Sequence, residues 1–358
     1  MLELIFITAP LFAASYTPPG VLADLVDLKR REIDRMRGLP EAREDGSWFL
    51  RLAYPSDKAS YDLGRAIGWK PERPVVLADL KRASPTGKLG VTTTLAPNLV
   101  VEESLARCTS LGVTAALINT DLDSYGGSDS DLRAACSYAR AGRGVDDEPA
   151  IPIVAKDLFI DPLQLARAAC TGARAVVLIA AACLPDLPLL LDTCTLLGIE
   201  ALVEVHTPDE VTVAAESGAG LLLVNERDRA TGRLIKGQAA ALAPQLPADA
   251  TCLATGGISR LDQVRVLRRA GYDGVVLGRV LAEDPAGADV LVSAIADEAP
   301  SDRWSELVSV PTVVGQGAAA AEDVDDGAAH EGGSSVSDGT PEPENPGEAS
   351  DGQGPDAA

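Results

Sequence analysis

The sequence predicts an α/β protein built as a (β/α)8 barrel, and three observations support this fold class. From residue 75 onward, short β-rich runs alternate with longer segments that have helical spacing, which is the pattern of a parallel sheet with crossover helices. The runs are almost continuously apolar, as expected for strands that are covered on both faces. Eight such runs can be counted, and eight strands close a barrel.

We expect the eight strands at Val75–Asp79, Thr114–Asn119, Ile151–Lys156, Ala175–Ile179, Ala201–Val205, Gly220–Asn225, Thr251–Thr255 and Gly274–Gly278. The segments between them place apolar residues three and four apart and often begin at Asp, Ser or Thr, which predicts covering helices. Among these segments are Asp161–Thr171, Pro185–Leu197, Thr207–Ser217 and Arg260–Ala270.

One further amphipathic helix is predicted ahead of the first strand, at Val21–Arg37, where it either closes the bottom of the barrel or flanks its mouth. The alternative fold is a doubly wound open sheet. That fold would bring a glycine-rich turn after the first strand, whereas the turn here reads Lys-Arg-Ala-Ser-Pro-Thr-Gly. The barrel is therefore the preferred prediction.

The chain divides into three parts: an N-terminal extension (1–20), the barrel (21–300) and an acidic tail (301–358). No Lys or Arg follows Arg303, and eleven Asp and Glu lie between Glu322 and Asp356. Low hydrophobicity with one-signed charge predicts disorder for this tail. In the extension, Leu4–Phe12 is apolar but short and lacks a basic flank, so a targeting segment and a disordered extension both stay open.

Composition argues against several classes of function. The net charge is −22, about half of it in the tail, and no basic face suggests nucleic-acid binding. No stretch approaches the roughly 20 apolar residues of a membrane span, so no membrane partner is expected. The six cysteines show neither a CxxC pattern nor a neighbouring His, which predicts no metal site.

The same cysteines are typical of buried thiols in a reducing compartment. This favours the cytoplasm, or the plastid stroma if the source is a photosynthetic eukaryote, while a secreted disulfide protein stays open. With only two histidines in the chain, acid–base chemistry falls to Lys, Asp and Glu. We expect His206, one of the two, to be a hydrogen-bonded structural residue rather than a base.

Polar residues interrupt the apolar strands where they end, and catalytic groups of such barrels project from these ends. They are Asp79, Lys81 and Ser84 after the first strand, Lys156 on the third, Glu204 on the fifth, and Asn225 and Arg227 on the sixth. A charge in a barrel wall needs a partner. We therefore expect Lys156 and Glu204 to face each other or a ligand, with a structural ion-pair network at the rim as the alternative.

The last two strands end in Gly256-Gly257 and in Gly278-Arg279. Glycine lets the backbone approach a ligand closely, and the loops after the last two strands of such barrels commonly bind phosphate. The two glycine pairs together predict a phosphorylated substrate.

Five motifs, in chain order, resemble those of the indole-3-glycerol phosphate synthase family, over about Val21 to Glu298. Leu77–Gly87 is similar to A-E-x-K-x-x-S-P-S, Asn119–Ser128 to L-T-D-x-x-Y-F-x-G-S, Ala155–Pro162 to R-K-D-F-I-x-D, Leu202–His206 to L-V-E-V-H, and Val224–Asp228 to I-N-N-R-D.

The resemblance implies a ring-closing lyase of tryptophan biosynthesis. Its substrate would be 1-(o-carboxyphenylamino)-1-deoxyribulose 5-phosphate, and its products indole-3-glycerol phosphate, carbon dioxide and water. The partner implied is thus a small phosphorylated molecule, with other enzymes of the tryptophan pathway as further candidates. No cofactor and no metal are implied.

The resemblance also implies roles for individual residues. Lys156 would be the general acid and Glu204 would handle a proton during dehydration, since a cation and a carboxylate suit opposite roles. Lys81 would hold the substrate's carboxylate or phosphate. Asp79, Asn225 and Arg227 would fix the reacting groups and the lysines. The phosphate would be surrounded by Ser84, Gly256, Gly257, Gly278 and Arg279, and the aromatic pocket lined by Tyr125, Leu158 and Val177.

Four departures from the family's motifs fall near the expected site. Asp79 stands in place of Glu, Thr255-Gly256 in place of Glu-Ser, Leu158 in place of Phe, and Glu226 in place of Asn or Ser. They leave two alternatives to an active synthase open: a diverged barrel acting on a related phosphorylated aminosugar, and a binding or scaffold paralogue. The retained Lys156 and Glu204 favour the synthase.

Overall fold

The computed structural model describes residues 16–54, 61–88, 91–142 and 151–299. Within them, eight parallel strands close into a barrel in which each strand pairs with its neighbours in the chain and the last pairs with the first. The strands are β1 (Val75–Leu80), β2 (Ala115–Asn119), β3 (Ile153–Lys156), β4 (Ala175–Ile179), β5 (Glu200–Val205), β6 (Leu221–Asn225), β7 (Thr251–Thr255) and β8 (Gly274–Leu277).

The helices are α1 (Val21–Arg37), α2 (Ser47–Ala53), α3 (Asp62–Ile67), α4 (Val101–Ser110), α5 (Leu122–Tyr125), α6 (Asp129–Ala141), α7 (Pro162–Thr171), α8 (Ala180–Cys183), α9 (Leu187–Leu197), α10 (Pro208–Glu216), α11 (Gln238–Leu242), α12 (Leu261–Ala270), α13 (Arg279–Glu283) and α14 (Pro285–Ala296). Short 3-10 turns lie at Pro40–Ala42, Leu184–Asp186 and Ala243–Gln245.

The predicted fold class is confirmed, and every predicted strand lies within two residues of the observed bounds. The barrel closes where Val75 of β1 lies opposite Gly274 of β8 and Leu77 lies opposite Ala115 of β2. This closure rules out the open doubly wound sheet.

Side chains alternate between the inside of the barrel and the helices that cover it, because successive residues of a strand point to opposite faces. Leu77, Leu117 and Leu202 belong to the interior cluster, while their neighbours Val76 and Val203 pack outward. The residue two positions after the last apolar interior side chain of a strand therefore faces the mouth of the barrel. This rule places Asp79, Asn119, Lys156, Ile179, Glu204, Asn225 and Thr255 at the mouth.

The predicted covering helices are confirmed, and the predicted first residue caps the helix in two of them. Asp161 accepts a hydrogen bond from the backbone of Leu163 and forms a capping box with Gln164, so α7 begins at Pro162. Thr207 likewise caps α10. A side-chain oxygen at this position satisfies a backbone N–H that has no partner within the helix.

Helix α1 has the predicted bounds, and it flanks the mouth rather than closing the bottom. Its buried face includes Val26, Ile33 and Lys29. The Nζ of Lys29 lies 2.9 Å from a carboxylate oxygen of Asp121 and 2.7 Å from one of Asp157, and both carboxylates follow barrel strands at their exits. A buried ion-pair cluster thus ties this helix to the mouth.

A hairpin not anticipated from the sequence lies in the loop after β1. Its antiparallel strands are Ala83–Lys88 and Val91–Thr94, with Ala83 opposite Thr94. The first strand reads Ala-Ser-Pro-Thr-Gly-Lys, which lacks the apolar alternation on which strand prediction rests. The hairpin carries Ser84 towards the mouth.

One expectation about membranes needs correction. Ala180–Leu197 is 18 residues long and by length and composition apolar enough to cross a membrane, whereas no stretch close to that length was expected from the sequence. In the structure a 3-10 turn divides it into α8 and α9, and half of it is buried. Leu187, Leu190 and Leu197 pack in the core, which is the behaviour of a covering helix.

The ends of the chain lie mainly outside the described residues. This holds for 1–15 of the predicted extension and for the predicted tail at 301–358. Tyr16 donates a hydrogen bond to the carbonyl of Ala181 at 2.7 Å, so the folded part begins before residue 21. All six cysteines lie in the described part and are free, which does not support the disulfide alternative.

Candidate active site

The lysine cluster at the mouth consists of Asp79, Lys81, Asn119 and Lys156. The Oδ2 of Asp79 accepts hydrogen bonds from the Nζ of Lys81 at 2.6 Å and from the Nζ of Lys156 at 3.0 Å. Its Oδ1 accepts one from the Nδ2 of Asn119 at 2.7 Å. Asp79 is only 4% exposed, so one buried carboxylate organises three side chains.

The two lysines differ in how firmly they hold their protons. Burial lowers the pKa of both, because a charged amine loses its hydration. The charges of Asp79 and Glu204 more than compensate at Lys156, whose pKa is raised. At Lys81 the attraction of Asp79 is offset by the repulsion of Lys156, and its pKa is lowered. Lys156 is thus the firmly protonated member of the pair.

The glutamate cluster, on the other side of the mouth, consists of Glu204, His206, Asn225 and Arg229. The Oε1 of Glu204 accepts hydrogen bonds from the Nδ2 of Asn225 at 3.1 Å and the Nε of Arg229 at 2.6 Å, with a further contact from the Nη2 of Arg229. Its Oε2 is buried and has no hydrogen-bond partner among the described residues. Oε1 of Glu204 therefore accepts several hydrogen bonds, and Oε2 accepts none from the described residues.

His206 joins Glu204 to a second carboxylate. Its Nε2 lies 3.2 Å from the Oε1 of Glu204, without the alignment of a hydrogen bond, and its Nδ1 lies 2.9 Å from Glu210. Burial would lower the pKa of His206, but the two carboxylates raise it. These contacts match the predicted structural role.

Burial alone would raise the pKa of Glu204. The guanidinium of Arg229 and the positive charge of Lys156 outweigh that effect and hold the pKa well below its ordinary range. Glu204 is therefore ionised in the free protein.

Lys156 and Glu204 make no ion pair with each other among the described residues, so of the two predicted arrangements the one in which they face a ligand stays a prediction. Within the described ranges each has another ion-pair partner, Asp79 for the lysine and Arg229 for the glutamate. Tyr125 links the two clusters: its ring centre lies 5.9 Å from the Nζ of Lys156, and its hydroxyl accepts a hydrogen bond from the Nη1 of Arg229 at 2.5 Å. The two predicted catalytic residues thus belong to one linked constellation.

Two adjoining cavities, of about 70 and 50 Å³, open at this constellation. The first gathers nearly all the residues predicted for the reacting end and the phosphate, together with Tyr125 of the predicted aromatic pocket: Asp79, Lys81, Ser84, Lys156, Asn225, Arg227, Gly256, Gly257, Gly278 and Arg279. The second is mainly apolar and is lined by Tyr125, Leu158 and Ile179 among others. Glu204 is not among the described residues that line either cavity.

Val177 does not line the aromatic pocket as predicted. It is fully buried in the barrel interior, two residues below the exit of β4. Interior positions recur every second residue, so the next one along the strand, Ile179, faces the second cavity. Ile179, rather than Val177, is therefore the residue of β4 that borders this cavity.

Asn225 and Arg227 hold parts of the site other than the lysines. The side chain of Asn225 donates to Glu204 and accepts from the backbone N–H of Arg227 at 2.9 Å. The guanidinium of Arg227 donates to the carbonyl of Gly232 at 2.8 Å and borders both cavities. Of the three residues expected to fix the lysines, only Asp79 contacts them.

The glycines at the last two exits serve two different purposes. Gly256 and Gly257 have φ values of +102° and +70°, a backbone region that favours glycine. At Gly278 a Cβ would lie 3.1 Å from the Nζ of Lys81 and 3.2 Å from the Oδ2 of Asp79. Gly278 therefore leaves room for the lysine cluster.

Glu226, one of the four departures from the family's motifs, points away from the reacting groups. Its Oε1 accepts hydrogen bonds from the backbone N–H groups of Gly237 and Ala239. These donors lie at the start of α11, where a carboxylate satisfies free N–H groups. This departure supports a helix and leaves the cavities unaltered.

Asn119 and Arg229 belong to the site but were not among the residues predicted from the sequence. Asn119 follows the interior residue Leu117 by two positions, so the alternation of β2 could have placed it at the mouth. Arg229 lies two residues after Arg227 in the loop after β6, and loop positions carry no periodic signal. Its partners, Glu204 and Tyr125, are brought to it by the fold.

Across residues 16–54, 61–88, 91–142 and 151–299, no group of three or more His, Cys, Asp and Glu side chains is arranged to hold a metal ion.

Known proteins resemble the chain over most of its length. The family model for indole-3-glycerol phosphate synthase matches residues 22–290. The indole-3-glycerol phosphate synthase of Micrococcus luteus is 32% identical over 76% of this chain and 96% of its own. That of Syntrophobacter fumaroxidans is 29% identical over 75% of this chain and 95% of its own.

Solved structures are more distant: 3-hexulose-6-phosphate synthase from Salmonella typhimurium covers 62% of this chain and 97% of its own at 18% identity, with a TM-score of 0.45. The family match, by contrast, contains all eight strands and both clusters at the mouth. The chain belongs to the indole-3-glycerol phosphate synthase family.

Proposed function

We propose that the chain is an indole-3-glycerol phosphate synthase, a carboxy-lyase. It closes the pyrrole ring of 1-(o-carboxyphenylamino)-1-deoxyribulose 5-phosphate and releases carbon dioxide and water. The observation that carries the proposal is the buried Lys156, kept protonated by Asp79 at a cavity that also gathers the predicted phosphate residues. The named relatives support the same activity.

Phosphate binding is assigned to one wall of the first cavity. Ser84, Gly256, Gly257, Gly278 and Arg279 all border it. Backbone N–H groups that glycine leaves accessible can donate hydrogen bonds to phosphate oxygens, and so can the guanidinium of Arg279. This wall would fix the substrate's phosphate and thereby set the position of its carbonyl.

Lys156 is assigned as the general acid of ring closure. As the substrate's aromatic carbon attacks the ketone carbonyl, negative charge develops on the carbonyl oxygen, and a protonated amine nearby stabilises that charge and transfers a proton. Asp79 holds Lys156 in place. Lys81, more weakly protonated, is assigned to the substrate's anionic groups.

The aromatic ring is assigned to the second cavity, which Tyr125, Leu158 and Ile179 border. A mainly apolar cavity suits a benzene ring. Leu158, where the family has Phe, keeps this wall apolar. After ring closure, loss of the carboxylate as carbon dioxide and loss of the hydroxyl as water restore aromaticity. Glu204 is assigned to transfer a proton during the dehydration.

The substrate is thus a small phosphorylated molecule, and no step assigned here uses a cofactor. The relatives named above are bacterial, and together with six free thiols this supports a cytoplasmic setting and gives no support to a plastid. Association with other enzymes of the tryptophan pathway rests on the family resemblance alone.

The test is the appearance of indole fluorescence when the purified protein meets the substrate. Lys156→Ala should abolish it, whereas Lys236→Ala, an exposed lysine, should not. Removing a general acid costs on the order of 10²- to 10⁴-fold in rate. Full turnover by Lys156→Ala would remove the assignment of the acid, and no turnover by the unaltered protein would overturn the function.

A further inference from the structure

A third cavity, of about 390 Å³, lies beside the mouth and is larger than either cavity of the candidate active site. It is bordered by the exit of β1, the chain just before α4, helix α4 itself, and helices α13 and α14. Of the described residues that border it, only Asp79, Lys81 and Gly278 also border the first cavity. The side cavity, as we call it, therefore meets the mouth at the lysine cluster.

The outer end of the side cavity lies at the protein surface. Exposed residues border it there: Pro97, Asn98, Val100, Glu103 and Pro285. Asn98, Glu103 and Ser104 bring polar side chains to its wall. A cavity that is polar and much larger than one water molecule holds water. Solvent can therefore reach the lysine cluster along the side cavity.

Lys81 is the lysine that this solvent meets. Its side chain is 13% exposed, against 5% for Lys156, and Lys156 is not among the described residues that border the side cavity. Both ammonium groups donate to the Oδ2 of Asp79, at 2.6 and 3.0 Å. A proton that enters from the side cavity thus reaches Lys81 first, and one shared oxygen separates it from Lys156.

The proposed reaction consumes protons at the oxygen of the substrate's ketone. Ring closure turns that oxygen into a hydroxyl with a proton given by Lys156, and the hydroxyl needs a second proton to leave as water. Loss of carbon dioxide returns the electrons of the broken bond to the ring and moves no proton. The carbon next to the nitrogen loses one proton, to Glu204. Lys156, the only acid assigned at this oxygen, therefore has to regain a proton while the ring-closed intermediate is still bound.

The lysine pair favours transfer of a proton towards Lys156. The pKa of Lys156 is raised and that of Lys81 is lowered, and the repulsion between the two ammonium groups acts on both alike. When the two amines share one proton, Lys156 holds it. The neutral amine is then Lys81, which solvent in the side cavity can protonate.

We propose that the side cavity carries solvent protons to Lys81, which passes them through Asp79 to Lys156 while the substrate occupies the mouth. The ammonium of Lys81 gives its proton across Oδ2 to the neutral amine of Lys156. The amine of Lys81 then takes a proton from a hydronium ion or a buffer acid in the side cavity. Glu204 returns its proton to solvent after the product leaves, so each turnover takes up one proton. The inference rests on the proposed ring-closing function.

The first test measures access to Lys81 and requires no turnover. Cyanate carbamylates neutral lysine amines, and mass spectrometry gives the modified fraction of Lys81 with time. In Ser104→Trp, whose indole would occupy the side cavity, we expect Lys81 to react more slowly than in the unaltered protein. Ser110→Trp, at an exposed residue of the same helix away from the cavity, should leave the rate unchanged.

An equal rate of carbamylation in Ser104→Trp and the unaltered protein would show that solvent reaches Lys81 through the mouth, and would overturn the route. No reaction at Lys81 in the unaltered protein would overturn it as well. If Ser104→Trp does not fold, Ala282→Trp carries the test, because Ala282 borders the same cavity from α13.

The second test separates the two halves of the reaction in a single turnover of substrate that carries ¹³C in its carboxyl group. Carbon dioxide reports ring closure, which uses the proton that Lys156 already holds, and indole reports the dehydration. Ser104→Trp should release carbon dioxide at the unaltered rate and form indole late, with a longer delay in D2O. Equal slowing of both products would show that tryptophan disturbs the site, and unchanged rates of both would contradict the relay.

Lys81→Arg separates the relay from the charge. Arginine keeps the positive charge beside Asp79 but does not give up its proton. We expect carbon dioxide to appear almost as fast as in the unaltered protein and indole to be delayed, whereas a residue that only holds Asp79 in place would slow both products together. If the unaltered protein fails to turn over the substrate, the proposed function falls, and the cyanate experiment still decides whether the side cavity leads to Lys81.

Discussion

The carboxylate of Asp79 lies 3.0 Å from the ammonium of Lys156, and the same oxygen also receives Lys81 at 2.6 Å. Burial would raise the pKa of Asp79, but the two ammonium groups hold it well below its usual range. The carboxylate is therefore ionised at any pH at which the enzyme works. Asp79 therefore positions the side chains of both lysines by accepting a hydrogen bond from each.

The length of the Asp79 side chain should matter because Asn119 occupies the space behind it. We expect Asp79→Glu to lower kcat/KM by up to about 100-fold, since the added methylene displaces the carboxylate by about an ångström. Asn119→Leu, the residue of the family's motif at this position, should restore much of the loss when combined with Asp79→Glu. A double-mutant cycle on kcat/KM measures this coupling. Additive losses would show that the two positions are independent.

Gly278 should not tolerate a side chain, because a Cβ at this position would displace residues of the lysine cluster. The Cβ of alanine would lie 3.1 Å from the Nζ of Lys81 and 3.2 Å from Asp79, which is closer than such atoms normally approach. We expect Gly278→Ala to reduce kcat/KM by about tenfold through displacement of these groups. The control is Gly112→Ala, where no atom lies within 4 Å of the added Cβ although φ is +77°. That variant should lose stability through backbone strain while keeping kcat/KM.

Substrate affinity should weaken at alkaline pH because of Lys81. Its lowered pKa means that it loses its charge, as the pH rises, earlier than an ordinary lysine does, and with the charge goes attraction for an anionic substrate. We expect KM to rise on the alkaline side in the unaltered protein. Lys81→Arg, which stays charged over this range, should show a flat KM there even if its kcat is lower. A parallel rise in both proteins would assign the titration to another group.

Helix α1 should depend on Lys29 for its attachment to the mouth. The Lys29 side chain is 5% exposed and contacts three carboxylates, those of Glu32, Asp121 and Asp157. Lys29→Met should reduce the free energy of unfolding by about 3 kcal/mol, because Asp121 loses the cation it contacts and the buried Asp157 keeps only Arg167, at 3.4 Å. The neighbouring Arg30→Met removes a surface pair with Asp27 and should cost less than about 1 kcal/mol. Equal urea midpoints for the two variants would contradict this account.

The barrel could be predicted from the sequence because a parallel strand that is buried on both faces leaves a plain apolar run. The same runs placed Lys156 and Glu204 at the strand exits. Val177 was predicted at the mouth but lies in the interior, two residues before Ile179, which borders the second cavity. The alternation along β4 could have identified Ile179 instead. The hairpin after β1 escaped prediction because Ser-Pro-Thr-Gly has no apolar pattern.

The partners of the charges could not be predicted. Which carboxylate forms an ion pair with Lys156 depends on distances across the barrel. The sequence shows only positions along the strands. Arg229 shows this most clearly, since its guanidinium joins Glu204 of β5 to Tyr125 at the end of α5. Such contacts follow from closure of the barrel, which brings distant loops to one mouth.

The central claim is tested most directly with substrate that carries ¹³C in its carboxyl group, by measuring labelled carbon dioxide and indole-3-glycerol phosphate from the same reaction. Ring closure with decarboxylation predicts one labelled carbon dioxide for each indole formed, and neither product with Lys156→Ala. Consumption of the substrate without labelled carbon dioxide, or no consumption at all by the unaltered protein, would contradict the assignment of this chain as a synthase.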